Sequence, residues 1–243
     1  LQFYILNHAT MDESVREAVQ LAIDSESMIS YLNGTVSVAY GPFSANSAYG
    51  QVTPKETDPQ KAMQILEDAG YERNQEGYWE RNGEVLSLRI AYYTARSLDT
   101  LAVLMQEQLE QVGIQCELMV AEDPDATYIA TGDFDIALYC MIADQTGDPQ
   151  YFIDSTLKEG SYFDVAGYSS EQCETLIQQL EQEMDIEKRA ELANQIIQLS
   201  IDENVLGYIG LFNKITVMRQ GVSGFAETSP FDFYGLNAET DIT

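Results

Sequence analysis

The sequence predicts an α/β protein: a mixed, mostly parallel sheet flanked by helices. Three observations carry this. Segments with apolar residues at helical spacing alternate with short segments of alternating apolar and polar residues. Residues 86–120 read as strand, helix and strand in one unit, which calls for a right-handed crossover and parallel pairing. Several helical segments open on Asp or Ser and close on Gly, so local chemistry sets their limits.

Residues 1–7 (LQFYILN) are strand-like. After Asp12, Val15, Val19, Ala22 and Ile23 share one face of a helix, with Glu13 in its first turn at the positive end of the dipole. A short helix starts with Ser25 as its cap and stops at Gly34, and residues 40–46 are turn-rich and irregular. Asp58-Pro59 opens the next helix, with Pro at the first helical position, Ala62, Ile65, Leu66 and Ala69 on one face, and Gly70 at the end. Trp79, within residues 77–83, is a hairpin aromatic packed on the body of the domain. Residues 86–92 alternate as a half-buried strand. Leu101, Leu104, Met105, Leu109 and Val112 then follow helical spacing from Ser97 to Gly113. Residues 114–120 and 134–142 form the second and third strands. From Ser170, Leu176, Ile177 and Leu180 mark one helix; after Asp185, Ala190, Leu192, Ala193, Ile196, Ile197 and Leu199 mark another. Residues 205–218 return to strand character, broken by Gly207 and Gly210, and from Ala226 the pattern is weak.

Composition bounds the function. With 243 residues, 45% hydrophobic, the chain can bury the core of one large domain or two small ones. No apolar run approaches the roughly 20 residues of a membrane span. No signal-peptide pattern opens the chain, and its start inside a strand-like run reads as a fragment of a longer protein. A net charge of −28, from 40 acidic and 12 basic residues, repels phosphate backbones and excludes nucleic acid as a partner. Cys116, Cys140 and Cys173 are widely separated, no Cys-x-x-Cys occurs, and His8 is the sole histidine, which excludes a zinc or redox site built on the usual ligands. Gly-x-Ser-x-Gly, Walker and Gly-x-Gly-x-x-Gly motifs are all lacking, so no catalytic residue is assigned.

The stretch ADQTGDPQYF, residues 143–152, follows the third strand. Gly, Asp and Pro are ordinary turn residues. Asp148 as N-cap with Pro149 at the first helical position accounts for that pair structurally. The loop also stands at the carboxyl end of a strand, where open α/β sheets bind ligands.

Several stretches, in order, resemble the family 5 extracellular solute-binding proteins, which deliver peptides, nickel or metallophore complexes to ABC importers. They are Asn7; Asp12-x-x-Val15-Arg16-x-Ala18-Val19-x-x-Ala22-Ile23-Asp24; residues 34–42; Asp58-Pro59-x-Lys61-Ala62-x-x-Ile65-Leu66-x-x-Ala69-Gly70-Tyr71; Gln108-Leu109-x-x-Val112-Gly113-Ile114; Gly132-x-Phe134-Asp135; Gly147-Asp148-Pro149-x-x-Phe152; Gly167-Tyr168-Ser169; and Lys188-Arg189.

The resemblance implies a periplasmic-binding-protein-like type II lobe. On it, residues 1–204 are the second lobe of a two-lobed clamshell, with residues 1–7 as one hinge crossing. Residues 205–243 are the return crossing and C-terminal segment toward the first lobe. It further implies a monomeric substrate-binding component of an ABC importer, working with a membrane permease outside the cell or in the periplasm, held by a lipid anchor on an upstream Cys. The cargo is a nickel chelate, a metallophore or a short peptide, and no resident cofactor or metal is expected. The rival class is an extracellular enzyme or partner-binding module with an acidic surface.

The expected ligand contacts are Asp144, Gln145, Tyr139, Ile142, Tyr92 and Tyr93. In peptide-binding relatives an acid about three residues ahead of the Pro-containing pair holds the ligand's α-amino group; Gln145 stands near that place, with Asp144 beside it. In nickel-binding relatives aromatics precede the pair and a histidine follows; Ala143, Gly147 and Ser161 occupy those places here. Asp154-Ser155-Thr156-Leu157-Lys158-x-Gly160 and Asp232-Phe233-Tyr234 look most like the nickel and metallophore branch, so both cargoes stay open. One of Tyr92 and Tyr93 must point away from the core, and either is a cleft residue or an ordinary surface or core tyrosine. His8 is a hydrogen-bonded structural histidine or, less often in such a setting, a ligand contact.

Overall fold

The run QFYIL, apolar but for Gln2, forms a strand buried on both faces, as its near-continuous hydrophobicity requires. This is β1 (Gln2–Leu6), at the centre of the sheet. A computed structural model describes residues 1–145, 147–213, 215–226 and 235–242. Residues 1–212 form one compact unit and residues 213–243 another. In the smaller unit, β10 (Val222–Ser223) and β11 (Asp241–Ile242) pair antiparallel.

In the larger unit the chain runs through α1 (Glu13–Ala22), α2 (Ser25–Ser30), β2 (Val36–Val38), α3 (Pro59–Asp68), β3 (Glu72–Arg73), β4 (Trp79–Arg81), β5 (Glu84–Val85), β6 (Ser87–Tyr93) and α4 (Leu98–Gln111). It continues through β7 (Gln115–Ala121), β8 (Ile136–Cys140), α5 (Gln150–Thr156), α6 (Glu171–Gln182), α7 (Ile186–Asp202) and β9 (Leu206–Phe212). Among the described residues the main sheet has the order β2-β9-β1-β8-β6-β7. Its parallel part is β7, β6 and β8, the crossover unit that residues 86–120 predict plus one more strand. β1 pairs antiparallel with β8 and β9, and β9 antiparallel with β2.

Strand alternation splits the core in two. Tyr4, Leu6, Ile90, Ile136 and Leu138 face the side covered by α1 to α4; Phe3, Ile5, Ala91, Ala137 and Leu206 face the side covered by α5 to α7. Cys116, Cys140 and Cys173 are buried free thiols.

Most helix starts follow the predicted chemistry. Asp12, Asp58, Ser170 and Asp185 cap α1, α3, α6 and α7 by accepting backbone N–H groups. Others differ. α2 is capped by Asp24, whose Oδ1 accepts from Ser27 N at 2.9 Å, while the Ser25 hydroxyl donates to Tyr208 O. It ends at Ser30, ahead of Gly34, and β2 follows before the turn-rich residues 40–46, in a stretch to which no element was assigned. Ser97 precedes α4 in a left-handed conformation and makes no side-chain cap bond. The third strand is shorter than residues 134–142, and of the strand expected over residues 205–218 the described part, β9, ends at Phe212. Trp79 is buried in the small β3-β4-β5 sheet, donating Nε1–H to Val112 O at 2.8 Å.

Gly207 lets β9 pass beneath Tyr4. A Cβ there would stand 1.8 Å from Tyr4 Cζ, and the ring is held because its hydroxyl donates to Gln20 Oε1. Gly207→Ala is therefore expected to destabilise the protein by about 3 kcal/mol through overpacking, measured by urea denaturation.

Candidate functional site

Because β6, β7 and β8 are parallel, their carboxyl ends, at Tyr93, Ala121 and Cys140, share one edge of the sheet. A cleft of about 560 Å³ opens there. Its walls are Tyr139, Met141, Ile142 and Gln145 from the end of β8 and the loop after it, Tyr151 and Ser155 from α5, Tyr162 and Phe163 from the next turn, Arg96 from the β6–α4 connection, and Asp125.

The rings interlock edge to face, with centroids 5.1 Å apart for Tyr139 and Phe163 and 4.9 Å for Tyr162 and Phe163. Tyr139 Oη donates to Asp125 Oδ1 at 2.7 Å. The Tyr162 phenol interacts with the same carboxylate; burial first, and then Asp125, push its pKa up to about 12. The same causes raise Tyr139. Among the described residues no three His, Cys, Asp or Glu side chains gather as a metal site. The cleft offers phenols, an amide, a hydroxyl, one carboxylate and one guanidinium, a set suited to gripping an organic molecule by stacking and hydrogen bonds.

Of the predicted contacts, Tyr139, Ile142 and Gln145 line this cleft. Tyr93 lies behind them, its ring 5.9 Å from Tyr139. Tyr92, one residue earlier, faces the opposite side of the sheet and packs on the α1 to α4 core, as period-2 alternation demands. Asp144 is exposed outside the lining set, its carbonyl accepting from Gly147 N. Ala143 is buried, Gly147 sits at φ +70°, and Ser161 Oγ is buried with no hydrogen-bond partner among the described residues. Asp232-Phe233-Tyr234 lies outside the described residues. Sequence reasoning missed Asp125, Arg96, Tyr151, Ser155, Tyr162 and Phe163. The adjacent aromatics at 162–163 were a usable signal; nothing local marks Asp125.

The model of the family described as bacterial extracellular solute-binding proteins, family 5 Middle, matches residues 1–164. The chain belongs to this family. It is 23% identical to the nickel-binding protein NikA of Staphylococcus aureus over 100% of this chain and 48% of that one. It is 26% identical to the oligopeptide-binding protein AppA of Bacillus subtilis over 95% of this chain and 44% of that one. The chain thus spans about half the length of the curated relatives it matches. Among solved structures, a nickel ABC transporter protein from Bacillus halodurans superposes with a TM-score of 0.78 at 24% identity, covering 87% of this chain and 45% of that one. AppA in complex with a nonapeptide superposes at 0.77 and 23% identity, covering 93% and 47%. These likenesses establish the shared fold.

The resemblance to the family 5 proteins rests on scattered stretches that meet in space. Asn7, buried after β1, donates through Nδ2 to Gly132 O and Phe134 O at 3.1 and 2.8 Å, and its Oδ1 accepts from Ala9 N. Asp135 accepts from the Arg89 backbone N–H and Nε at 2.8 and 3.1 Å. Asp148 corrects the expected cap: α5 begins at Gln150, whose N–H donates to Asp148 Oδ1, but the main partner of Asp148 is Arg189. Arg189 Nη2 reaches both carboxylate oxygens at 2.8 and 2.9 Å, and its Nη1 donates to Leu180 O and Glu183 O.

His8 sits in a structural setting in which one ring nitrogen is left without a partner. Its backbone N–H donates to Ala166 O and its ring meets Tyr168 edge-on at 5.3 Å, yet Nε2 is buried with no hydrogen-bond partner among the described residues. It follows the carboxyl end of β1, antiparallel to β8, and so stands at the edge of the sheet opposite the cleft.

Two predictions follow from these contacts. Asp148→Ala should cost about 2 kcal/mol, more than the ~1 kcal/mol of a lone cap, because it strands a mostly buried guanidinium; chemical denaturation of the full-length protein measures it. Burial, and then Arg16, lower the His8 pKa to about 4. Between its ordinary value near 6.5 and about 4 the unfolded chain binds the proton that the folded one refuses, so this contribution to stability is lost as pH falls through that window. His8→Gln should accordingly show a smaller drop in melting temperature from pH 7 to pH 4.5 than the parent protein.

Proposed function

We propose that this chain is the ligand-gripping second lobe of a family 5 solute-binding protein that captures a small nickel chelate or a short peptide for an ABC importer. The observation that carries the reading is the aromatic cleft at the carboxyl edge of β6, β7 and β8. Its phenols, amide and hydroxyl suit an organic ligand more than a bare ion, since nickel(II) favours imidazole and thiolate donors. The names of the two relatives matched over nearly the whole chain support both cargoes.

On this reading β1 and β9 are the two crossings. They run side by side and antiparallel at the centre of the sheet, so Leu1 and Phe212 both stand at the cleft edge. Residues 1–204 are then the lobe, with the return crossing and C-terminal segment in 205–243. The whole protein is a binder rather than an enzyme. It works as a monomer outside the membrane, held there by a lipid anchor, and docks on a membrane permease. Affinity in such a clamshell comes from closing two lobes around the solute.

The test is thermal melting of the full-length protein with nickel and histidine together, with free nickel, and with a mixture of short peptides. Stabilisation by the chelate or the peptides is expected, and none by free nickel. Tight binding of bare nickel, or turnover of any added solute, overturns the proposal. In calorimetry, the isolated lobe is expected to give no micromolar binding of the same ligands.

A further inference from the structure

Gln2 interrupts the apolar run of β1 and is fully buried there. Burying an amide is costly unless it is hydrogen-bonded, and only the donor end of this one is used. Nε2 donates to Arg96 O at 2.6 Å, across 94 residues of sequence, while Oε1 is buried with no hydrogen-bond partner among the described residues. β1 and β9 slip register between Gln2 and Phe3, an irregularity of the kind that re-aims a side chain. Gly210, opposite Gln2 on β9, leaves room for the amide: a Cβ there would stand 3.3 Å from Gln2 Oε1.

What the amide holds is a strained piece of backbone. Arg96 and Ser97 both sit in the left-handed region, at φ +56° and +61°. Two such residues in succession, neither of them Gly, persist only where their surroundings impose it, and such backbone gathers at ligand clamps. Side-chain packing of the connection does not impose it, since Thr94, Ala95 and Arg96 are exposed. Nor does helix capping, because Ser97 makes no side-chain cap bond to α4. Among the described residues the holding bonds are Ala95 N to Tyr93 O and Leu98 N to Ala95 O, at 2.9 and 3.1 Å, together with the Gln2 amide. The same connection carries the one guanidinium of the cleft wall.

We propose, resting on the solute-binding reading above, that Gln2 is a positioning residue: from the core it locks the β6–α4 connection in its left-handed conformation and so sets the place of Arg96 at the cleft. The amide stands on the strand which that reading takes as a crossing. Arg96 is therefore fixed relative to the crossing, and not to α4 alone.

The test is made on the full-length protein with Gln2→Met, which keeps the length and bulk of the side chain and removes the amide. Hydrogen exchange of the Leu98 and Leu101 amides, at the start of α4, should speed up about fivefold, as for one lost hydrogen bond, with the β8 amides unchanged. In calorimetry with nickel–histidine and with trialanine, the probe that binds should weaken by a similar factor. A double-mutant cycle should show no further loss from Gln2→Met once Arg96→Ala has removed the side chain it acts through. Ser97→Gly, with Gln2 intact, should raise the melting temperature, because Gly adopts the left-handed region freely. Unchanged exchange in Gln2→Met, an equal loss of affinity with and without the Arg96 side chain, or a lower melting temperature in Ser97→Gly overturns the assignment. If the parent protein binds neither probe while exchange responds as expected, the solute-binding reading falls and the hold of Gln2 on the connection stands.

Discussion

The guanidinium of Arg189 holds together the elements from which the cleft wall is built. It binds the Asp148 carboxylate with three bonds, from Nε and Nη2, and Nη1 closes the end of α6 through Leu180 O and Glu183 O. The loop after β8, α5, α6 and α7 are thereby tied at one point. In a chain with 40 acidic and only 12 basic residues, a mostly buried cation is scarce, and this one is fully used. Desolvating such a charge is costly, so its value depends on every donor being met. With the loop fixed there, Ile142 and Gln145 project over the cleft and Tyr151 and Ser155 complete the wall.

The opposite edge of the sheet is organised differently. There Asn7 uses its whole amide on backbone partners, and Asp135 gathers the Arg89 backbone and side chain. His8 sits beside them, its pKa lowered first by burial. At one edge of the sheet Asn7 and Asp135 are thus spent on neighbouring backbone and Arg89, and at the other, where the parallel strands finish, polar side chains line the cleft.

That contrast also explains why the cleft is aromatic. Tyr139 and Phe163 pack on Phe3 and on each other at the margin of the core, and Tyr162 packs on Phe163, so these rings are shared between folding and the cleft. A side chain that is apolar in body and polar at its tip can serve both, which Leu or Ser could not.

The sequence by itself determined much of this. Helix limits follow from Asp12, Asp58, Ser170 and Asp185, because a cap is a bond within three residues. The crossover follows from the periodicity of residues 86–120, and the family from stretches whose order survives along the chain. The loop at residues 143–152 was legible as a cleft wall because a strand end can be read locally, and Tyr139, Ile142 and Gln145 came with it. What only the tertiary structure decided are contacts across long separations. Asp148 reads as a cap until Arg189, 41 residues away, is brought to it. Asp144 and Asp125 look alike in sequence and both are exposed, yet only Asp125 lines the cleft, where Tyr139, 14 residues on, donates to it. Tyr92 and Tyr93 are adjacent, and only the side of the sheet that the cleft occupies tells them apart. Short-range hydrogen bonds leave their mark in neighbouring residues; the partner of a charge is chosen by how the layers pack.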